Sequence, residues 1–224
     1  EQYGGLEFGS IGAGLLAEEC GRTLASSPFL SSALVCSSLV AGLGSEEQKS
    51  ELLPAIASGE LILTLAVSEK GAAGAEHTAL AAKPDGEGYL LEGSKACVVD
   101  GNIAHRFLVV ARTSGEAGDT NGLGVFLVDR ETDGLEVTVQ NNVDNHRHVN
   151  LTFDGVKVET GEQFLQPGKV WPELQKALDI GAACVSAEML GIAEESFTRT
   201  VEDLKERKQF GVPVGSFQAL QFRC

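Results

Sequence analysis

The chain has 224 residues, with 17 Lys+Arg against 32 Asp+Glu, a formal net charge of −15, 43% hydrophobic residues and 22% charged. That length allows a sizeable core and one or two domains of roughly 100–200 residues each. The negative balance argues against nucleic acid or an anionic membrane surface as partner, because both are held by clustered Lys and Arg. An ordinary apolar fraction argues against disorder.

Cys20, Cys36, Cys97, Cys184 and Cys224 are widely spaced and form no C-x-x-C. This predicts reduced thiols in a cytoplasmic compartment, with neither a disulfide frame nor a zinc site. The chain opens on Glu1-Gln2-Tyr3-Gly4-Gly5 without an initiator Met or a basic n-region, so no signal peptide is visible. It closes on Gln221-Phe222-Arg223-Cys224, and both ends are expected to be fragment boundaries. The uncharged stretch from Thr23 to Ser45 is long enough for a membrane helix. Pro28, its many Ser and Gly, and the lack of basic flanks predict a buried helix hairpin and no membrane span.

Taken in chain order, residues from Ile11 to about Ser58 have helical spacing. Leu15, Leu16 and Leu24 suit one face of an amphipathic helix ending near Ser26-Ser27-Pro28, and Phe29 to Leu43 suits a more apolar helix ending at Gly44. Ser45-Glu46-Glu47-Gln48 is a capping box, in which the Ser oxygen and the Gln side chain satisfy two orphaned N–H groups. The helix it starts runs toward Gly59, and Pro54 is expected to kink or shorten it.

From Leu61 to about Val158 the apolar period changes to two. Short strands are predicted at 61–67, 88–92, 96–99, 107–111, 124–128, 135–138 and 149–153, punctuated by Pro84-Asp85-Gly86, Asp100-Gly101-Asn102, Thr132-Asp133-Gly134 and Asp154-Gly155. Strands at this spacing with no helices between them predict an antiparallel barrel or sandwich. Helical spacing returns from about Val170 to Phe210, with an apolar stripe at Ala183, Ala187, Leu190, Ala193, Phe197, Val201 and Leu204. Gly211-Val212-Pro213 stops that helix, and Gly215-Ser216 would cap another.

Common catalytic signatures are missing: there is no Walker A motif, no G-x-S-x-G and no H-E-x-x-H. The glycine-rich Gly9–Gly14 run follows no strand and reads as a flexible helix start. His146-Arg147-His148 would place two imidazoles on one strand face, but no third ligand accompanies them, and a solvated strand end is the plainer reading. Two segments are less ordinary. Leu65 to Ala75 is a strand opening into small residues, where backbone N–H groups can approach a ligand. Glu206-Arg207-Lys208-Gln209-Phe210-Gly211 with Phe217-Gln218 gathers two bases, aromatics and amides at a helix end, which suits an anionic, ring-bearing ligand. From the residues alone the plainer reading of both is a strand end and a helix C-terminus whose basic residues offset the dipole.

The order of these segments resembles the acyl-CoA dehydrogenase family. Glu1-Gln2-Tyr3-Gly4-Gly5 resembles its E-x-Y-G-G, and Gly44-Ser45-Glu46-Glu47-Gln48-Lys49 with Leu52-Leu53-Pro54 and Ser58-Gly59-Glu60 resembles G-[ST]-x-E-Q-K-x-x-x-L-P-x-[LI]-x-x-G-E. Ala66-Val67-Ser68-Glu69 is similar to A-x-[ST]-E-P, Phe153-Asp154-Gly155-Val156-Lys157-Val158 to F-D-x-V-x-V-P, and Glu206 to Gly211 with Phe217-Gln218 to E-R-x-Q-F-G-x-x-[IL]-x-x-F-Q. The resemblance covers nearly the whole chain. It implies an α+β multi-domain fold with an all-α N-terminal part (1–60), a central antiparallel β-barrel (61–165) and the start of a C-terminal helical bundle (166–224).

The resemblance also implies FAD as cofactor and an acyl-CoA thioester as substrate, with a carboxylate taking the α-proton while the β-hydrogen leaves as hydride to the flavin. By position, Leu65, Val67, Ser68, Cys97 and Val99 would lie against the flavin ring. Arg207, Gln209, Phe210 and Gln218 would reach FAD held mainly by a neighbouring subunit, and Gly74 and Asp179 would face the substrate. A homo- or hetero-oligomer of the tetramer-of-dimers type and an electron-transfer flavoprotein are the implied partners. The chain departs from the pattern in several places. Lys70 replaces the Pro after Glu, and Ala73-Gly74-Ala75 replaces Gly-Ser-Asp. Cys97-Val98-Val99-Asp100-Gly101 replaces W-I-[ST]-N-G, and Ala182 replaces an Arg that often follows Asp179. No catalytic residue is assigned, because the usual Glu lies beyond the position of Cys224 and the alternative location corresponds to Gly181. Two readings follow: a flavoprotein that dehydrogenates an acyl-CoA, or a degenerate non-catalytic subunit that supports an acyl-CoA dehydrogenase partner. The motif order disfavours a third, an unrelated helix-barrel interaction protein.

Overall fold

The computed structural model describes residues 2–5, 8–71, 74–142, 147–166 and 168–224. The chain divides into two compact units. One comprises Pro28–Ala182 with the described part of the first seven residues, and the other comprises Phe8–Ser27 and Ala183–Cys224.

Helix α1 (Gly9–Thr23) belongs to the second unit. In the first unit a π-helical stretch, Phe29–Cys36, leads into α2 (Ser37–Leu43), which ends at Gly44 as expected. Helix α3 (Glu46–Ser58) starts on the predicted box: the Ser45 hydroxyl accepts from Gln48 N at 3.2 Å and Gln48 Oε1 accepts from Ser45 N at 2.8 Å. Pro54 does not shorten it, and the helix closes on Gly59 at φ +77°. Leu52 and Ile56 bury its inner face with Leu39, Val40 and Leu43.

The strands are β1 (Leu63–Ala66), β2 (Ala81–Asp85), β3 (Gly88–Val98), β4 (Arg106–Arg112), β5 (Leu123–Asp129), β6 (Leu135–Val139), β7 (Val149–Val158) and β8 (Gln163–Phe164). They pair in the order β6-β7-β3-β2-β4-β5-β8, with β1 added alongside β4. The expected barrel is therefore corrected: the sheet is open, its path ending at β6 on one side and at the two-residue β8 on the other. It is also not purely antiparallel, since β1 and β2 both run parallel to β4. The β2–β4 link is a single pair, Ala81 with Arg112, between two better-paired halves. The apolar alternation cannot reveal such a gap, because it reports which face is buried and not which neighbour a strand pairs with.

Three local expectations also change. The two strands predicted at 88–92 and 96–99 are one, β3. Ala81–Asp85 pairs with it although Pro84 and short side chains hide it as a strand. Asp154-Gly155 is not a turn: β7 runs through it, and the register slips from Leu91 with Val156 to Glu92 with Asp154, leaving Gly155 (φ +64°) as a β-bulge. The sheet faces divide into two apolar clusters, one around Phe107, Phe126 and Leu151, the other joining Leu108 and Val125 to the helices through Leu39 and Leu174.

Helix α4 (Val170–Glu206) has its residues from Ala183 onward in the second unit, where α1 meets it through glycines. A Cβ on Gly21 would stand 2.0 Å from the Glu188 carbonyl oxygen, and one on Gly191 would stand 1.9 Å from that of Glu18. The buried face of α1 is accordingly Gly12, Ala13, Ala17 and Gly21, while the predicted Leu15, Leu16 and Leu24 are exposed. The stripe predicted on α4 is displaced in the same way: Cys184 and Gly191 are buried, whereas Leu190 and Phe197 are exposed. Close backbone approach selects the smallest residues, and periodicity of large ones cannot report it. Arg22 reinforces the crossing with a 2.7 Å bond to Glu194. Gly191→Ala should therefore lower unfolding free energy by about 1–3 kcal/mol or more in urea denaturation, and a variant as stable as wild type would contradict the close crossing.

Candidate functional site

The end of β1 is held by a buried lysine. The Lys95 side chain, on β3, is 0% exposed. Its ammonium donates to the Val67 carbonyl at 3.1 Å, to Glu69 Oε1 at 2.7 Å and to Thr78 Oγ1 at 3.5 Å. Glu69 also accepts from the backbone N–H groups of Ala79 and Leu80 at 2.9 and 3.0 Å. Ala96 N donates to the Ser68 carbonyl at 2.8 Å, and the Thr64 hydroxyl donates to the Val99 carbonyl at 2.5 Å. Leu65 to Ser68 is thereby fixed beside Lys95 to Val99.

Burial lowers the Lys95 pKa from 10.5 to about 8; Glu69 pulls it back up and Arg112 adds a smaller lowering. Burial pushes the Glu69 carboxyl up, but Lys95 and the two backbone amides outweigh this and hold it below the usual carboxylate range. Nothing in the composition marks this lysine. The usable signal is its position inside a strand, four residues after the buried Leu91.

The sequence-predicted residues fall as follows. Leu65 and Val67 are half-buried, and Ser68 is exposed, its hydroxyl without a hydrogen-bond partner among the described residues. Cys97 is exposed at φ +53°, its N–H donating to Asn150 Oδ1 at 3.1 Å, and Val99 is exposed. Backbone hydrogen bonds put these five on the neighbouring segments where β1 and β3 end, the β1–β3 surface. Gly74 is exposed at φ +94°, next to residues 72 and 73, which lie outside the described set. Asp179 is exposed on α4 and accepts from Gln175 Nε2 at 3.4 Å. Neither is brought to the β1–β3 surface by a described hydrogen bond.

Behind that surface the turn after β3 is tightly held. Asp100 (φ +55°) is buried and accepts from the buried Ser31 hydroxyl at 2.6 Å. Its carbonyl accepts from the N–H groups of Ile103 and Ala104. Gly101 is needed beside it, because a Cβ there would stand 2.2 Å from Val149 Cγ2.

In the second unit, β9 (Lys208–Gln209) and β10 (Val212–Pro213) form a hairpin. Its two loop residues, Phe210 and Gly211, both have positive φ, +57° and +82°, the pattern of a type I′ turn. Val214 N donates to the Arg207 carbonyl at 2.8 Å, and Phe210 meets Phe217 edge-on at 6.1 Å. Phe210 is 90% exposed, and Arg207, Gln209 and Gln218 are exposed around it. The predicted second helix is the short α5 (Gln218–Gln221), entered through a 3₁₀ turn at Val214–Ser216.

Other expectations are resolved more simply. His146 lies outside the described residues, and among the described residues no three His, Cys, Asp or Glu side chains gather as a metal site. All five cysteines are free. No described helix is long and apolar enough to cross a membrane. The Gly9–Gly14 run is the first turn and a half of α1.

Three family models match in series: the acyl-CoA dehydrogenase N-terminal domain at residues 1–60, the middle domain at 64–156 and the C-terminal domain at 170–224. The chain belongs to the acyl-CoA dehydrogenase family. It is 34% identical over 98% of its length to the mitochondrial short/branched chain specific acyl-CoA dehydrogenase of Bos taurus, of which it spans 52%. Among solved structures, the acyl-CoA dehydrogenase from Geobacillus kaustophilus matches 99% of this chain at 28% identity and TM-score 0.89, with 60% of that chain covered. A chain of the ChsE4-ChsE5 complex from Mycobacterium tuberculosis matches 99% of this one at 30% identity and TM-score 0.83, with 57% covered. The chain thus spans a little over half the length of the relatives it matches.

Removing Glu69 leaves a buried ammonium without its counter-charge, so Glu69→Gln should cost about 3–5 kcal/mol of unfolding free energy. Lys95 gives a pH signature. Its folded value near 8 lies below the unfolded 10.5, so between them the unfolded chain binds more protons and this group's contribution to stability rises with pH. The wild-type minus Lys95→Met difference in unfolding free energy should climb by up to about 1.4 kcal/mol per pH unit in that window, and a flat difference would show that Lys95 titrates as an exposed amine.

Proposed function

We propose that the protein is an acyl-CoA dehydrogenase-like flavoprotein that carries out α,β-dehydrogenation of an acyl-CoA thioester. The observation that carries this reading is the β1–β3 surface, where the Lys95 ammonium and the Ala96 amide fix the Val67 and Ser68 carbonyls. Its residues suit a flat ring: Leu65, Val67 and Val99 offer apolar contact, Cys97 a polarizable sulfur, and Ser68 a hydroxyl free to donate. FAD bound there would supply the acceptor for a hydride from the substrate. The chain's own part is to seat the ring on that surface and to keep its polar edge against Ser68.

Arg207, Gln209, Phe210 and Gln218 form the second contact set, offered to FAD of a neighbouring subunit: a guanidinium for pyrophosphate, amides for hydrogen bonds and an aromatic ring for stacking. Gly74 and Asp179 are assigned to the acyl-CoA, and no catalytic base is assigned to this chain. The division into 1–60, 61–165 and 166–224 is retained as the domain plan. An electron-transfer flavoprotein is the proposed electron acceptor, and the free thiols support a reducing, cytoplasmic compartment.

A second reading is favoured by one departure. With Cys97 and Val99 in place of an aromatic and a hydroxyl, the ring surface loses a platform and a donor while the Arg207–Phe210 hairpin keeps its full set. A subunit of this kind would lend its hairpin to a catalytic partner in a hetero-oligomer. Purification decides between the two. The whole protein alone should be yellow with near-stoichiometric flavin under the first reading, and should take up FAD only together with a second subunit under the other. Arg207→Ala should weaken FAD retention by about 10-fold or more, the effect of losing one charge-assisted hydrogen bond, and unchanged retention would remove the hairpin from the site.

A further inference from the structure

Asp100 is a buried carboxylate that the proposed chemistry does not use. It follows Val99 directly, in the turn after β3. Its hydrogen-bond donor is the neutral Ser31 hydroxyl, at 2.6 Å. Among the described residues no Lys, Arg or His forms an ion pair with it. The nearby Arg130 guanidinium donates instead to the carbonyls of Gly101 at 2.5 Å and Ala104 at 3.3 Å. The charge is also held still. Asp100 keeps a left-handed φ of +55° while its own carbonyl is tied to Ile103 and Ala104, and Thr64 ties the preceding Val99 carbonyl. A fixed, buried charge with no ion-pair partner among the described residues acts over a longer reach than one in water.

Such a charge bears on one property of a ring seated against Val99, which rests on the function proposed above. When the β-hydrogen leaves the substrate as hydride, two electrons and one proton pass to the ring. The acyl chain is oxidised, the ring is reduced and gains one unit of negative charge, and the α-proton departs separately. A carboxylate behind Val99 opposes that gain. We propose that Asp100, held by Ser31, is a positioning residue that lowers the reduction potential of the flavin bound on the β1–β3 surface. The sequence supports the choice, because Asp100 stands where the resembling W-I-[ST]-N-G word has a neutral Asn.

The test is the flavin midpoint potential, measured by dye-equilibrated reduction of the whole protein loaded with FAD. Asp100→Asn keeps a partner for Ser31 and removes the charge. Asp100→Gly removes the charge and also relaxes the positive φ, so it remains informative if the Asn variant folds poorly. Both should shift the potential in the positive direction by similar amounts, and Ser31→Ala, which keeps the charge, should give no positive shift. Flavin bound at an unchanged potential in the Asp100 variants overturns this inference alone. A wild type that takes up no flavin, by itself or with a partner subunit, overturns the proposed function and this inference with it.

Discussion

A lysine ammonium sealed from water has to find acceptors inside the protein, and the acceptors Lys95 finds determine how β1 ends. Desolvating that charge is expensive, and only geometry that supplies a carboxylate and a carbonyl together makes it tolerable. Glu69 and Val67 lie two residues apart on the same strand exit, so a single ammonium sets both the direction of the backbone after Ala66 and the height of the loop that carries Thr78 to Leu80. The surface made by Leu65, Val67, Ser68, Cys97 and Val99 depends on this arrangement. Replacing the pair with apolar residues could preserve stability, but it would no longer fix where the Val67 carbonyl points.

The same economy is seen in Arg112, which is buried and has no acidic partner among the described residues. Its guanidinium donates to five carbonyls, those of Glu76, Thr78, Ser114, Asp119 and Asn121. Arg112 therefore organises the loops at this end of the sheet through backbone oxygens alone, whereas Lys95 uses the Glu69 carboxylate together with the Val67 carbonyl. Loops held this way can vary their side chains freely, since the contacts that shape them are made by main chain.

Much of the architecture was legible from local chemistry. The Ser45 box located α3 to the residue, and the change of period at Leu61 separated helices from strands. What escaped falls into physical classes. Pairing partners and sheet closure depend on tertiary contacts that periodicity does not encode, so an open sheet with parallel additions was read as a barrel. Gly21 and Gly191 escaped because patterns weigh large side chains, while the α1–α4 crossing is built from the absence of any. In the candidate site, Leu65, Val67, Ser68, Cys97 and Val99 are proposed from motif order. The groups beside them were not legible: Lys95 because a charged residue in a strand reads as solvent-facing until its partners are known, and Glu69, Asp100 and Ser31 because their partners are distant in sequence.

The bulge at Gly155 has a consequence for the whole of β7. Phe153 and Val156 are both buried although three positions apart, and Val149, Leu151 and Val158 are buried in step with them on either side. The extra residue therefore changes the parity of the strand midway: odd positions face the core before it and even positions after it. Loss or gain of one residue elsewhere between Val149 and Val158 would turn part of the strand inside out, whereas loss of the bulge residue itself would leave a continuous alternation with the same residues inside. The bulge is thus the point in β7 where one residue can be lost without moving the buried set.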